Sequence, residues 1–215
     1  MSSGKSYLCR QIISHLDEIT YCSKKIDSTE IVFLTKSEES AKNLKSICDK
    51  KNIIFSWWKI IHSLQSLIDR SNDKKHLILI FEDWSGFLNN TEKAFNAELV
   101  SFLYRSRHNN ISIIYILHNI THALTKRTSF ERIFIDNASG LFFFKPINNK
   151  KTIYNYLKNY FSKKTTDKLD DIFDLASKFT SYPYLFIQPQ KDLKDEISKI
   201  RIDIFKLNIF LQSGI

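Results

Sequence analysis

Residues 77–81 (LILIF) form an apolar run with no polar interruption, closed at once by Glu82 and Asp83. A strand with one wet face alternates apolar and polar side chains. An unbroken run is expected where both faces are covered, as in a parallel sheet sandwiched between helices. Residues 111–117 (ISIIYIL) read as the next buried strand, and shorter runs stand at 30–34 (EIVFL), 52–56, 141–144 and 184–187. Helical periodicity fills the intervals: 5–19, with Leu8, Ile12, Ile13 and Leu16 on one face, then 58–68, 91–107, 151–161 and 166–179. Ser37 is placed to cap a further helix running through Cys48. Strand and helix alternate, which predicts an α/β fold with a mostly parallel sheet flanked by helices.

The start of the chain narrows that class. Met1, Ser2, Ser3, Gly4, Lys5 and Ser6 match the second half of the phosphate-binding pattern G-x-x-x-x-G-K-[ST]. Gly4 lets the backbone approach phosphates, Lys5 reaches their outer oxygens, and Ser6 offers a hydroxyl to Mg²⁺. The helix opening at Lys5 aims its N–H groups at the anion. Ser2, Ser3, Gly4, Lys5, Ser6 and Tyr7 are therefore the expected nucleotide-contacting residues. The pattern sets its first glycine ahead of Met1, and the strand that leads into such a loop has no residues here. The expectation is a single P-loop NTPase-like domain over residues 1–215, N-terminally incomplete, with the strand before the phosphate loop missing.

Glu82 and Asp83 supply what such a loop needs at the end of a buried strand. One acid holds Mg²⁺ and its neighbour polarises an attacking water, so Ser6 and Glu82 are the expected metal-side residues. The alternative is that the pair only caps the following helix. His118 and Asn119 end the next buried run, where a polar side chain can sense the γ-phosphate; equally, they can begin a loop and bond its backbone. Arg127 and Arg132 follow, either of them able to reach a neighbouring subunit's nucleotide as a trans finger. Arg105, Arg107 and His108 end the preceding helix and complement its dipole.

Composition excludes other classes. The 215 residues are 43% hydrophobic and 26% charged, which suits a folded domain rather than a disordered chain. No apolar run reaches the roughly 18 residues of a membrane span, so no membrane partner is expected. Cys9, Cys22 and Cys48 have neither metal-ligand spacing nor an even count, which reads as three reduced thiols in an intracellular setting. The net charge of +9 is compatible with a polyanionic partner. Trp57, Trp58 and Phe142 to Phe144 read as core rather than as a base-stacking platform. No zinc site, Ser/His/Asp triad or haem motif is present.

In this order the pieces resemble the FtsK-HerA superfamily of P-loop ATPases, in particular the genome-packaging ATPases of Polinton/Maverick elements, adintoviruses and related DNA viruses. Gly4, Lys5 and Ser6 fit the phosphate loop, and residues 77–84 (LILIFEDW) fit a Walker B segment usually written with two aspartates. Residues 102–119 (FLYRSRHNNISIIYILHN) are similar to a stretch in which HHRN, a buried strand and a QN pair succeed each other. His108, Asn109 or Asn110, and Asn119 keep that pattern, while His118 stands where the family has glutamine. Residues 132–146 (RIFIDNASGLFFFKP) match at Arg132, Asn137, Ala138, Phe144 and Lys145, which favours Arg132 over Arg127 as the finger. Residues 182–190 (YPYLFIQPQ) and 201–205 (RIDIF) resemble the closing segments. The resemblance implies ATP- and Mg²⁺-dependent translocation of double-stranded DNA by a ring-shaped homo-oligomer that packages a viral genome into capsids. Glu82, Asp83, Asn119 and Arg132 would then be the catalytic residues, capsid proteins possible partners, and the infected cell or the virion the setting. Two alternatives stay open: a degenerate, non-hydrolysing P-loop subunit that binds DNA or capsid proteins, and a small P-loop kinase, which would need a lid with clustered arginines.

Overall fold

The computed structural model describes residues 4–16, 28–59, 63–71, 75–82, 92–106, 108–117, 124, 130–146, 149–178, 181–187 and 200–201. The chain divides into two compact units, Ser6–His118 and Met1–Lys5 with Asn119–Ile215.

The unit Ser6–His118 contains α1 (Lys5–Ser14, its first residue apart), β1 (Ser28–Leu34), α2 (Glu38–Lys50), β2 (Ile54–Trp58), α3 (Leu64–Asp69), β3 (Lys75–Glu82), α4 (Glu92–Ser106) and β4 (Ile111–Ile116). The four strands are all parallel, in the order β2-β1-β3-β4. The α/β fold with a parallel sheet flanked by helices is thus present, and the run 77–81 is its buried centre. Leu77, Leu79, Ile80 and Phe81 are wholly inaccessible and Ile78 nearly so. Each such side chain contributes about 1.5–3 kcal/mol relative to exposure.

Helix placement follows from strand order. Ile78 and Ile80 of β3 share a core with Ile31 and Phe33 of β1, with Cys9 and Ile13 of α1, and with Leu44 and Cys48 of α2. One face of the sheet is therefore covered by α1 and α2. The step from β1 through α2 to β2 runs one way across the sheet. The steps from β2 through α3 to β3, and from β3 through α4 to β4, run the other way. Right-handed crossovers then put α3 and α4 on the opposite face. Leu64 and Leu67 of α3 and Leu99 and Phe102 of α4 are buried, as are Leu77, Leu79 and Phe81, which point to that side. Ser37 caps α2 as expected, its hydroxyl accepting the Ser40 N–H at 3.1 Å, with Glu38 and Glu39 in the first turn. At the opening edge of the sheet, buried Glu30 pairs with both Arg70 and Lys75.

One expected element differs. Trp58 does not begin a helix: it ends β2, and α3 begins only at Leu64, capped by Ser63, whose hydroxyl accepts the Gln65 N–H. Trp57 and Trp58 are half-buried on an edge strand, Trp57 packed against the core beneath α1 and α2. Their rings lie under cations, Lys59 over Trp57 at 4.7 Å and Arg70 over Trp58 at 5.1 Å.

The other unit holds α5 (Phe130–Asn137), β5 (Leu141–Phe144), α6 (Lys150–Leu157), α7 (Lys163–Asp167), α8 (Leu169–Ala176), β6 (Tyr184–Ile187) and β7 (Ile200–Arg201). Its strands pair antiparallel in the order β5-β6-β7, so residues 141–144 and 184–187 build a second sheet instead of extending the parallel one. Phe143, Leu185 and Ile187 face a core completed by Ile153, Leu157, Phe161, Leu169 and Phe173. Phe142, Phe144, Tyr184 and Phe186 alternate to the opposite face. Their rings touch there, with Phe142 4.7 Å from Phe186 and 5.4 Å from Tyr184. The expected helix at 166–179 is two, α7 and α8, broken at Lys168. Among the described residues no helix is long and apolar enough to cross a membrane.

Candidate functional site

Parallel pairing of β1 with β3 sets Leu34 beside Phe81, so the next residues, Thr35 and Glu82, emerge together at the carboxyl edge of the sheet. Open α/β sheets bind ligands at that edge. Thr35 is 2% exposed and Glu82 6%. The Thr35 hydroxyl donates to Oε2 of Glu82 at 3.1 Å, and the Ser6 hydroxyl, one residue into α1, donates to Oε1 at 3.0 Å. Two hydroxyls from separate elements thus meet one buried carboxylate.

Thr35 is itself held on every side. Its hydroxyl accepts the Ser37 N–H at 3.0 Å, which leaves its proton for Glu82. Its carbonyl accepts the Trp57 indole N–H at 2.9 Å, and its N–H donates to the Trp58 carbonyl at 3.3 Å. Cys9 lies one turn along α1 from Ser6. Burial first, and the Glu82 charge second, push its thiol up to about 12, so it stays protonated beside the carboxylate.

The donor set can be tested against the Mg²⁺ that a phosphate loop implies. Glu82 forms no ion pair among the described residues: its partners there are two neutral hydroxyls. A buried charge compensated only by neutral donors favours a cation nearby. No group of three or more His, Cys, Asp or Glu gathers among the described residues, which suits neither zinc nor a calcium cage. Mg²⁺ asks less, typically one or two carboxylates with phosphate oxygens and water. Ser6 and Glu82 fit it.

The other expected residues fall as follows. Lys5 is the first residue of α1 and half-buried; Tyr7 is 43% exposed. Gly4 is buried with φ +79°, and a Cβ there would sit 2.7 Å from Tyr182 Cβ and 2.8 Å from Phe144 Cε1. Its need for glycine thus has a packing cause as well as a conformational one. Arg132 belongs to α5, where its Nε lies 2.8 Å from Asp136 of the same helix and its guanidinium stands 6.0 Å over the Tyr156 ring. The bond to Asp136 holds its pKa above the usual range. Asn137 donates to the Ile133 carbonyl at 2.8 Å, and Lys145 pairs with Asp174. Arg105 donates to Gln65 at 3.0 Å, and Asn109 donates back to the Arg105 carbonyl at 2.8 Å, closing α4. Ser2, Ser3, Asp83, Arg107, His118, Asn119 and Arg127 lie outside the described residues.

The structure therefore brings together Ser6 and Glu82, which were expected to meet, and adds Thr35, which was not. The signal for Thr35 was present, since it is the polar residue that ends the run 30–34, but its neighbour depends on strand order. No protein-family model, curated protein or solved structure matches the chain.

Proposed function

We propose that the protein is an ATP-hydrolysing P-loop enzyme that translocates double-stranded DNA, working as a ring-shaped homo-oligomer that packages a viral genome into capsids. One observation carries the nucleotide part. Ser6 and Glu82, 76 residues apart and singled out separately by motif, share a hydrogen bond of 3.0 Å. The Ser6 proton is committed to the carboxylate, which leaves the hydroxyl lone pairs for a cation. Ser6 and Glu82 would hold Mg²⁺, which when bound neutralises charge on the transferring phosphoryl group. Gly4, Lys5 and the start of α1 bind phosphates, Asp83 orients the attacking water, and Asn119 bonds to the γ-phosphate. Arg132, released from Asp136, serves a neighbouring subunit's site. The DNA and capsid parts are supported by the ordered sequence resemblance and by the net charge of +9.

The test is steady-state ATP turnover with and without duplex DNA, in wild type, Lys5→Ala and Glu82→Ala. Turnover that rises with DNA and drops at least about a hundredfold in both variants is expected. Wild-type turnover that Lys5→Ala leaves intact would sink the phosphate-loop assignment. Nucleotide binding without turnover would instead favour a non-hydrolysing subunit.

A further inference from the structure

Positive charge is concentrated in one stretch. Residues 145–168 hold seven lysines and one aspartate, a net +6 out of the chain's +9. Lys145 and Lys150 are neutralised by Asp174 and Asp170 of α8. The remaining five, Lys151, Lys158, Lys163, Lys164 and Lys168, are exposed, and none meets a carboxylate among the described residues.

Helix geometry orders them. Along α6 and its C-cap, Lys151, Asn155 and Lys158 are spaced i, i+4, i+7 and form one exposed stripe, opposite Ile153 and Leu157, which enter the core. Lys158 is bonded to Asn155 at 3.1 Å, so the stripe carries a neutral donor group alongside its charges. The turn after α6 leads directly into Lys163 and Lys164, the first residues of α7, which begins at its Ser162 cap. Five like charges left unpaired repel one another, which costs stability unless a polyanion meets them.

We infer that the solvent face of α6 with the start of α7 is a contact surface for the phosphate backbone of duplex DNA. Lysines are point charges on flexible stems, suited to tracking phosphates without reading bases. A lipid surface fits less well, because no large apolar side chain of α6 or α7 is exposed. This assignment deepens the proposed DNA-translocating function and rests on its DNA component, but not on ATP hydrolysis.

The experiment measures anisotropy of a fluorescent mixed-sequence duplex against full-length protein across a salt series, without nucleotide. It compares wild type, a variant with Lys151, Lys158, Lys163 and Lys164 all changed to Ala, and a control with Lys42→Ala and Lys45→Ala on α2. The α6–α7 variant should bind at least about tenfold more weakly at low salt. Its slope of log K against log salt should be shallower by roughly one for each phosphate it no longer neutralises. The control should match wild type in DNA binding, and basal ATP turnover should be the same in all three. The α6–α7 variant should unfold no earlier than wild type, since it relieves like-charge repulsion. If wild type binds DNA and the α6–α7 variant binds equally well, this surface is wrong while the DNA reading survives. If wild type does not bind DNA at all, both fall. Weakened binding shared by the control marks general charge attraction and overturns the assignment of this surface.

Discussion

Thr35 shows how one hydroxyl can hold a neighbouring acid in place. It accepts from Ser37 and donates to Glu82, so its proton has only one direction to go. Thr35→Val keeps the shape but leaves Oε2 of a buried carboxylate, and the Ser37 N–H, without their partner. A loss of about 1–3 kcal/mol follows from an unsatisfied buried polar group. Urea unfolding at neutral pH should show that loss in Thr35→Val and much less of it in Thr35→Ser. Equal stability of Val and wild type would mean that Glu82 does not depend on Thr35. Gly4 is a poorer probe of the phosphate loop. A Cβ there collides with Tyr182 and Phe144, so impaired nucleotide binding in Gly4→Ala would have two causes. Ser6 and Lys5 are the cleaner positions.

At the scale of elements, β3 was legible because a strand buried on both faces has no other composition. β4, expected to be buried as well, is an edge strand with Ser112 exposed and residues 113–115 half-buried, but its apolar run still marks its place. Thus β3 and β4 stand where residues 77–81 and 111–117 predict them, to within a residue or two at either end, and the Ser37 cap of α2 follows from its hydroxyl alone. Short elements were legible in position more than in pairing: β5 and β6 stand at the expected 141–144 and 184–187, whereas β2 is displaced by two residues from 52–56. Trp57 and Trp58 look apolar in sequence, but what fixes β2 is its pairing with β1 and the indole bond to the Thr35 carbonyl. The direction of β5 and β6 was equally hidden, since a short aromatic run reads the same in either orientation. Ser6 and Glu82 could be paired from motif, whereas Thr35 required the strand order. A pH prediction also belongs here. His76 near the start of β3 is buried, its Nε2 2.8 Å from the Ser112 hydroxyl on β4, and burial pushes its imidazole down to about 4 from 6.5. The unfolded chain therefore takes up the proton first. Stability is present above pH 6.5 and lost as pH falls through 4. Denaturant midpoints across that window should fall more steeply for wild type than for His76→Gln; parallel curves would assign the acid sensitivity elsewhere.

At the scale of the whole molecule, the proposed ring requires that sites be completed by neighbours, and Arg132 is where that requirement can be tested. In the chain by itself its Nε is bonded to Asp136, a partner on its own helix that is 51% exposed in its side chain. A pair that is half-exposed at its acid contributes little, of the order of 0–1 kcal/mol, so losing the Asp136 bond itself does not prevent exchange for a phosphoryl group. Head-to-tail interfaces that close into a ring give every site one subunit's phosphate loop and the next subunit's finger. Lys5→Ala would then lack the first half and Arg132→Ala the second, and each alone should lose most DNA-stimulated turnover. Mixed in equal amounts and allowed to exchange, the two form some interfaces that combine an intact Lys5 with an intact Arg132. Random pairing makes about a quarter of interfaces whole, so activity should return toward that fraction. Asp136→Asn in an otherwise wild-type chain should leave turnover unchanged or raise it, because it weakens that bond without touching the nucleotide site. No recovery on mixing, with Arg132→Ala fully active by itself, would remove Arg132 from the chemistry and leave it as a residue that ties α5 to its own last turn.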